Sequence, residues 1–241
     1  MTTGGNVIRF REGDDFREGA VLAVDKPLGW TSFDVVNKIR ISLRGKYGKI
    51  KVGHAGTLDP LATGVVVICI GKETKEIERY MGQEKEYLAR VTFGHTTPSY
   101  DLESAFDGEY DYSHINRELL EAVAGRFVGE IEQYPPIFSA VRINGTRAYE
   151  MARAGNEVKM TSRRVQIHAV EITEVQVPEV TFRVTCGKGT YIRSLAHDIG
   201  RACGSGAYLS ALRRTSVGTF RVEHAFCMEE LVRLLDENRS D

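Results

Sequence analysis

The sequence has no apolar run longer than residues 65–70, far short of the ~20 residues that cross a bilayer as a helix. Residues 1–19 carry Arg9, Arg11, Glu12, Asp14, Asp15, Arg17 and Glu18 and no apolar segment. That stretch reads as a polar lead-in, mobile at its start, rather than as a secretory leader. Cysteine is scarce: Cys69, Cys186, Cys203 and Cys227 form no Cys-x-x-Cys pair and have no histidine partner at metal-ligand spacing. They read as reduced, structural thiols of a cytoplasmic protein, with no metal site. Internal repeats, low-complexity tracts and linkers rich in Pro, Gly or Ser are all missing, so nothing marks a firm domain boundary.

Net charge is also nearly absent, −1 over 241 residues, which argues against a protein that coats nucleic acid indiscriminately. Its distribution is less even. Residues 38–51 hold Lys38, Arg40, Arg44, Lys46, Lys49 and Lys51 and no acid. Residues 142–164 hold Arg142, Arg147, Arg153, Lys159, Arg163 and Arg164 against Glu150 and Glu157, whereas 101–121 are strongly acidic. Phosphate contacts depend on local patches rather than on the total charge. Either basic run taken alone is most simply a solvated face.

What is present is globular: 42% hydrophobic and 27% charged residues, enough for a sizeable core in one large domain or two small ones. Alternating signals predict mixed α and β structure. Residues 20–25 read as a strand stopped by Pro27-Leu28-Gly29. Thr31 or Ser32 caps a helix with apolar Phe33, Val35, Val36, Ile39 and Leu43 at helical spacing. A buried strand is expected over 65–70, a helix over 73–81, and a half-buried strand where Tyr87, Ala89, Val91 and Phe93 alternate with Leu88, Arg90 and Thr92. Ser113 is expected to cap a helix running to Phe127, broken at Tyr134-Pro135-Pro136. Residues 164–177 and 180–186 read as a strand pair turned near Pro178, 190–202 as a helix, and 228–235 as the last helix before an acidic tail.

Three stretches carry candidate chemistry. In GHAGTLDPLATG, residues 53–64, glycines at 53, 56 and 64 flank a single acid, Asp59. An Asp before a proline is most often a turn carboxylate. Here it stands among backbone open to close approach and at the lip of a core strand, where a loop can present a reactive group. Gly187-Lys188-Gly189-Thr190-Tyr191-Ile192-Arg193 fails the Walker pattern, yet it offers a helix N-terminus for one anion. It also puts Arg193 in a first helical turn, from which it could keep a neighbouring carboxylate ionised. Lys85-Glu86-Tyr87 opens the alternating strand, where a tyrosine is most often half-buried packing.

Together these stretches resemble the TruB family of tRNA pseudouridine-55 synthases. Residues 22–32 (LAVDKPLGWTS) resemble its first motif and 53–64 its second. Lys85-Glu86-Tyr87 matches its tyrosine motif, 189–195 (GTYIRSL) its arginine motif, and Tyr208-Leu209 to Arg213-Arg214-Thr215 its last. Residues 135–155 are similar to its RNA-gripping insertion, set at about 135–160. The resemblance implies an α+β pseudouridine synthase fold over 20–241, with a mixed, mostly antiparallel sheet flanked by helices and no cofactor. It makes Asp59 the carboxylate that acts at the ribose, Tyr87 the ring stacked on a flipped uracil, and Arg193 the partner of Asp59. His54 and Asp101 would lie near the displaced base and near Tyr87. Lys26, Arg142, Arg147, Arg153, Arg163, Arg164, Arg213 and Arg214 would contact RNA. The implied partner is the T arm of tRNA, met by a cytoplasmic monomer that needs no protein partner and no membrane. Many relatives carry a C-terminal PUA domain; the short acidic stretch after the last motif predicts that it is missing. Three rival readings are a tRNA-folding chaperone with incidental catalysis, an RNA-guided synthase acting on other RNA, and a sugar hydrolase built on Asp59.

Overall fold

The computed structural model describes residues 15–139, 141–143, 145–154 and 158–237. Strands are β1 (Ala20–Lys26), β2 (Val52–His54), β3 (Ala62–Ile70), β4 (Lys85–Phe93), β5 (His95–Thr96) and β6 (Gly108–Glu109). They continue with β7 (Gly129–Gln133), β8 (Arg142–Ile143), β9 (Thr146–Arg147), β10 (Arg163–Gln176), β11 (Glu179–Cys186), β12 (Ala207–Val217) and β13 (Phe220–Arg221). Helices are α1 (Ser32–Tyr47), α2 (Ile77–Met81), α3 (Arg117–Ala124), α4 (Ala148–Arg153), α5 (Ile192–Ala202) and α6 (Met228–Glu237). The chain groups into two compact units, one of Met1–Glu86 with Arg213–Asp241 and one of Tyr87–Leu212.

In the first unit β3 is central. Its run of branched side chains is wholly buried, which is why the sequence shows continuous rather than alternating hydrophobicity there. Each such Val or Ile contributes about 1.5–3 kcal/mol of burial. β1 pairs antiparallel along β3, from Ala20 opposite Ile70 to Lys26 opposite Gly64. On the other edge lie β2, with Val52 opposite Ile70, and β12. One face closes on Val21, Ala23, Val65, Val67, Cys69, Tyr80, Val217 and Phe220. α1 starts at a full capping box: Thr31 accepts from Asp34 N, and the Asp34 carboxylate accepts from Thr31 N, satisfying two otherwise orphaned donors. α6 packs on α1 and β1.

In the second unit the strand order is β12-β4-β11-β10-β7. β10 and β11 form a long antiparallel hairpin, and β7 pairs antiparallel with the start of β10. β4 buries Tyr87, Ala89, Val91 and Phe93, as its alternation predicts. α3 and α5 pack on one another, and α3 also meets β10. The architecture is α+β, with a mixed sheet flanked by helices.

Several expectations need correction. The helix after Ser113 is shorter and starts later: Asn116 is its N-cap, accepting from Leu119 N, while Ser113 closes an Asx turn on Asp111. The strand β7 comes next, unannounced in the sequence because Gly129-Glu-Ile-Glu-Gln133 carries almost no apolar signal. β12 shows in the sequence only as a motif. Residues 73–81 form a 3-10 turn, Gly71–Glu76, that passes into the short α2. Phe33 is 59% exposed, because the buried stripe of α1 runs through Ser32, Val35, Val36, Ile39 and Leu43 and leaves it one position off. Most of the lead-in expected over 1–19 and the last residues of the acidic tail fall outside the described residues. Phe16, near the lead-in's end, is buried at 1% exposure with its ring edge-on to Tyr47 at 5.5 Å.

Candidate functional site

In the first unit, Asp59 lies in the loop between β2 and β3. Its carbonyl accepts from Ala62 N at 3.0 Å, which starts β3. The loop is fastened by backbone-directed bonds on both sides. Ser32 Oγ donates to Leu58 O at 3.2 Å and accepts from Leu58 N at 2.9 Å. Gly29 N donates to Pro60 O at 2.8 Å. Arg214, 1% exposed, donates through Nε to Val65 O at 2.6 Å and through its terminal nitrogens to Gly56 O and Thr57 O at 3.2 and 3.5 Å. Gly64 explains how β12 comes so close: at φ 106 a Cβ there would stand 2.2 Å from Arg214 O.

Lys26 completes this cradle. It is fully buried and donates to Trp30 O at 2.6 Å, Pro27 O at 3.0 Å and Pro60 O at 3.5 Å. Burial drives its pKa down to about 8, the charge of Arg214 adding to the effect while Asp59, Asp34 and Asp25 oppose it. His54, at the end of β2, has its Nδ1 buried with no hydrogen-bond partner. Burial, then the Arg214 charge, holds the imidazole below its usual pKa and so neutral.

In the second unit, Tyr87 is buried at 8% exposure on β4. Arg193 is the second residue of α5, as its motif predicts. Its guanidinium donates to Ser99 O at 3.1 Å and Phe138 O at 3.0 Å, and pairs with the Asp101 carboxylate at 3.5 Å. Both side chains of that pair are about 95% buried, at 5% and 6% exposure. Asp101 also accepts from Glu103 N, and its carbonyl accepts from the hydroxyls of Thr97 and Ser99. The N-terminus of α5, read as an anion site, is partly closed: Tyr191 N donates to Gln133 Oε1 at 2.7 Å.

The residues read as RNA contacts divide. Lys26 and Arg214 are both buried and donate to backbone carbonyls. Arg213, one residue from Arg214 and on the opposite face of β12, forms a bidentate pair with Asp25 at 3.2 and 2.6 Å and also donates to Thr63. Arg164 is 80% exposed and paired with Glu130 at 3.1 Å. The Arg163 guanidinium lies over the Tyr191 ring at 4.7 Å. Arg142, Arg147 and Arg153 fall on β8, β9 and α4, but their side chains lie outside the described residues. No cluster of His, Cys, Asp or Glu able to hold a metal occurs among the described residues. Sequence reasoning missed that Lys26 and Arg214 fasten the Asp59 loop. The adjacent pair Arg213-Arg214 was the available signal, since neighbours on a strand point to opposite faces.

Residues 44–192 match the family described as TruB family pseudouridylate synthase (N terminal domain), and 193–241 match tRNA pseudouridylate synthase B C-terminal domain. A protein of Phocaeicola vulgatus named tRNA pseudouridine synthase B is 53% identical, over 92% of this chain and 96% of that one. One of Flavobacterium johnsoniae with the same name is 52% identical, over 88% and 94%. Among solved structures, the chain is similar to one in a Cbf5-Nop10-Gar1 complex, with TM-score 0.69 and 33% identity over 90% of its length. It spans about half of that solved chain, 54%.

Proposed function

As the chain belongs to the TruB family of pseudouridylate synthases, we propose that it converts uridine to pseudouridine in the T loop of tRNA. Breaking the N1–C1′ bond, turning the base and joining C1′ to C5 moves no electrons to an acceptor. The proton that leaves C5 is balanced by one gained at N1, so the reaction is an isomerisation and needs no cofactor. It does need a carboxylate at the ribose. Asp59 either attacks C1′, as the nucleophile of a retaining glycosidase does, or removes the 2′ proton to give a glycal. Tyr87 is the ring for the flipped uracil and Arg193 the charge partner of the reacting carboxylate. Unstacking the base costs about a few kcal/mol, supplied by contacts along the T arm. The enzyme works as a cytoplasmic monomer, and no described helix is long and apolar enough to cross a membrane.

The observation that carries this reading is the 53% identity to a protein named tRNA pseudouridine synthase B across 96% of that protein. The fastened Asp59 loop supports the role given to the carboxylate. The test is tritium release from tRNA made with 5-tritiated uridine. Release equal to one uridine per tRNA, abolished in a folded Asp59→Ala protein, is expected. A folded wild type that binds tRNA without release would end the proposal.

A further inference from the structure

Among the described residues, Tyr100 is the one non-glycine residue at positive φ, at 63°. A side chain reaches the left-handed region only when its surroundings over-determine it. Here the turn is tied at both ends: Tyr100 N donates to Thr97 O at 3.1 Å and Leu209 N donates to Tyr100 O at 2.9 Å. The ring itself lies flat on His197, with centroids 4.1 Å apart and planes at 16°.

His197 stands one helical turn after Arg193 on α5, so the two side chains share a face. That face grips three consecutive residues. Arg193 takes the Ser99 carbonyl and the Asp101 carboxylate, and His197 takes the Tyr100 ring between them. His197 Nδ1 is buried without a hydrogen-bond partner, which leaves stacking rather than a polar tether at that atom to set the ring plane.

We propose that the Tyr100–His197 stack is a positioning device, holding the strained 99–101 turn on α5 so that Asp101 stays paired with Arg193. Its effect is on turnover rather than on tRNA affinity. The inference rests on the catalytic role given to Arg193 above. Release of tritium by the wild type, and its loss in a folded Arg193→Lys protein, check that reading first, so that its failure is recognised separately. Tyr100→Gly is the decisive variant: glycine adopts the left-handed backbone without strain, which offsets part of the packing lost with the ring, so the variant should still fold, yet the stack is gone.

The expected result is a fall in kcat of about ten- to a hundredfold, as for small misplacements of a reacting group, with KM held within about twofold. His197→Ala should do the same, and His197→Phe, which keeps a flat ring, should restore kcat. A wild-type kcat in Tyr100→Gly would overturn the proposal. So would a rise in KM at unchanged kcat, which would make Tyr100 a contact to RNA. Should His197→Ala not fold, Tyr100→Gly with thermal melts still decides.

Discussion

In the first unit the buried cations Lys26, Lys85 and Arg214 donate to backbone carbonyls, whereas in the second Arg193 is buried against a carboxylate as well as two carbonyls. The difference shows what each arrangement holds still. A cation spent on carbonyls pins backbone: Arg214 joins the Gly56-Thr57 turn to the start of β3, and Lys26 joins the ends of the turn after β1. A cation shared with a buried acid pins a charge as well as backbone, as Arg193 does with Asp101. Loss of the first kind of contact should unseat a loop, while loss of the second leaves an uncompensated charge.

Substitutions can break that contrast. The largest effect on activity is expected for Asp59→Asn, with tritium release falling below detection while the melting temperature stays near the wild type. Arg214→Met should instead destabilise first. It strands the carbonyls of Gly56, Thr57 and Val65, at about 1–3 kcal/mol each when buried and unpaired, and activity should fall because the Asp59 loop moves; melts and tritium release made together would separate the two causes. Asp101→Asn should cost about 3 kcal/mol, the lower end for breaking a buried pair, since Arg193 keeps its two carbonyls. Equilibrium denaturation would show whether that holds.

Smaller effects sharpen the comparison. Lys26 titrates at about 8 when folded against 10.5 ordinarily, so between those pH values the unfolded chain holds the extra proton. Its burial therefore penalises the fold fully below pH 8, and stability should rise as pH climbs through the window. In Lys26→Met that rise should flatten, as seen in melts across the range. Smallest of all is Arg213→Lys: the pair with Asp25 is half-exposed, with 41% and 28% of the two side chains accessible. It should cost no more than about 1 kcal/mol. The salt dependence of tRNA binding should be unchanged in Arg214→Met if the variant is folded, because a buried guanidinium releases no counterions.

Much of the fold was legible where one short-range rule acted alone. The alternation in β4, the cap at Thr31, the apolar run of β3 and the hairpin turned near Pro178 all stand in the structure close to where the sequence puts them. Elements decided by partners were not legible. β7 has a polar sequence and exists because the start of β10 offers it an edge, with Ile131 opposite Val165. Ser113 and Asn116 are both good caps, and the competition went to Asn116 because Ser113 is used by Asp111. At the candidate site, Arg193 stands in the first turn of α5, where its motif puts it. The burial of Lys26 and Arg214 among carbonyls was not legible, because a basic residue in a sequence does not show whether carbonyls or solvent will surround it.

By itself the sequence determined the family and the lone acid in GHAGTLDPLATG, because an unusual run of residue types survives being read without geometry. It determined the elements whose periodicity is local, too. Tertiary structure alone decided which cations are exposed, which carboxylate pairs with Arg193 inside the second unit, and that Tyr100 would be held in the left-handed region against His197. Each of these depends on residues distant in the chain arriving at one place, and burial rather than residue type then sets what a charged side chain can do.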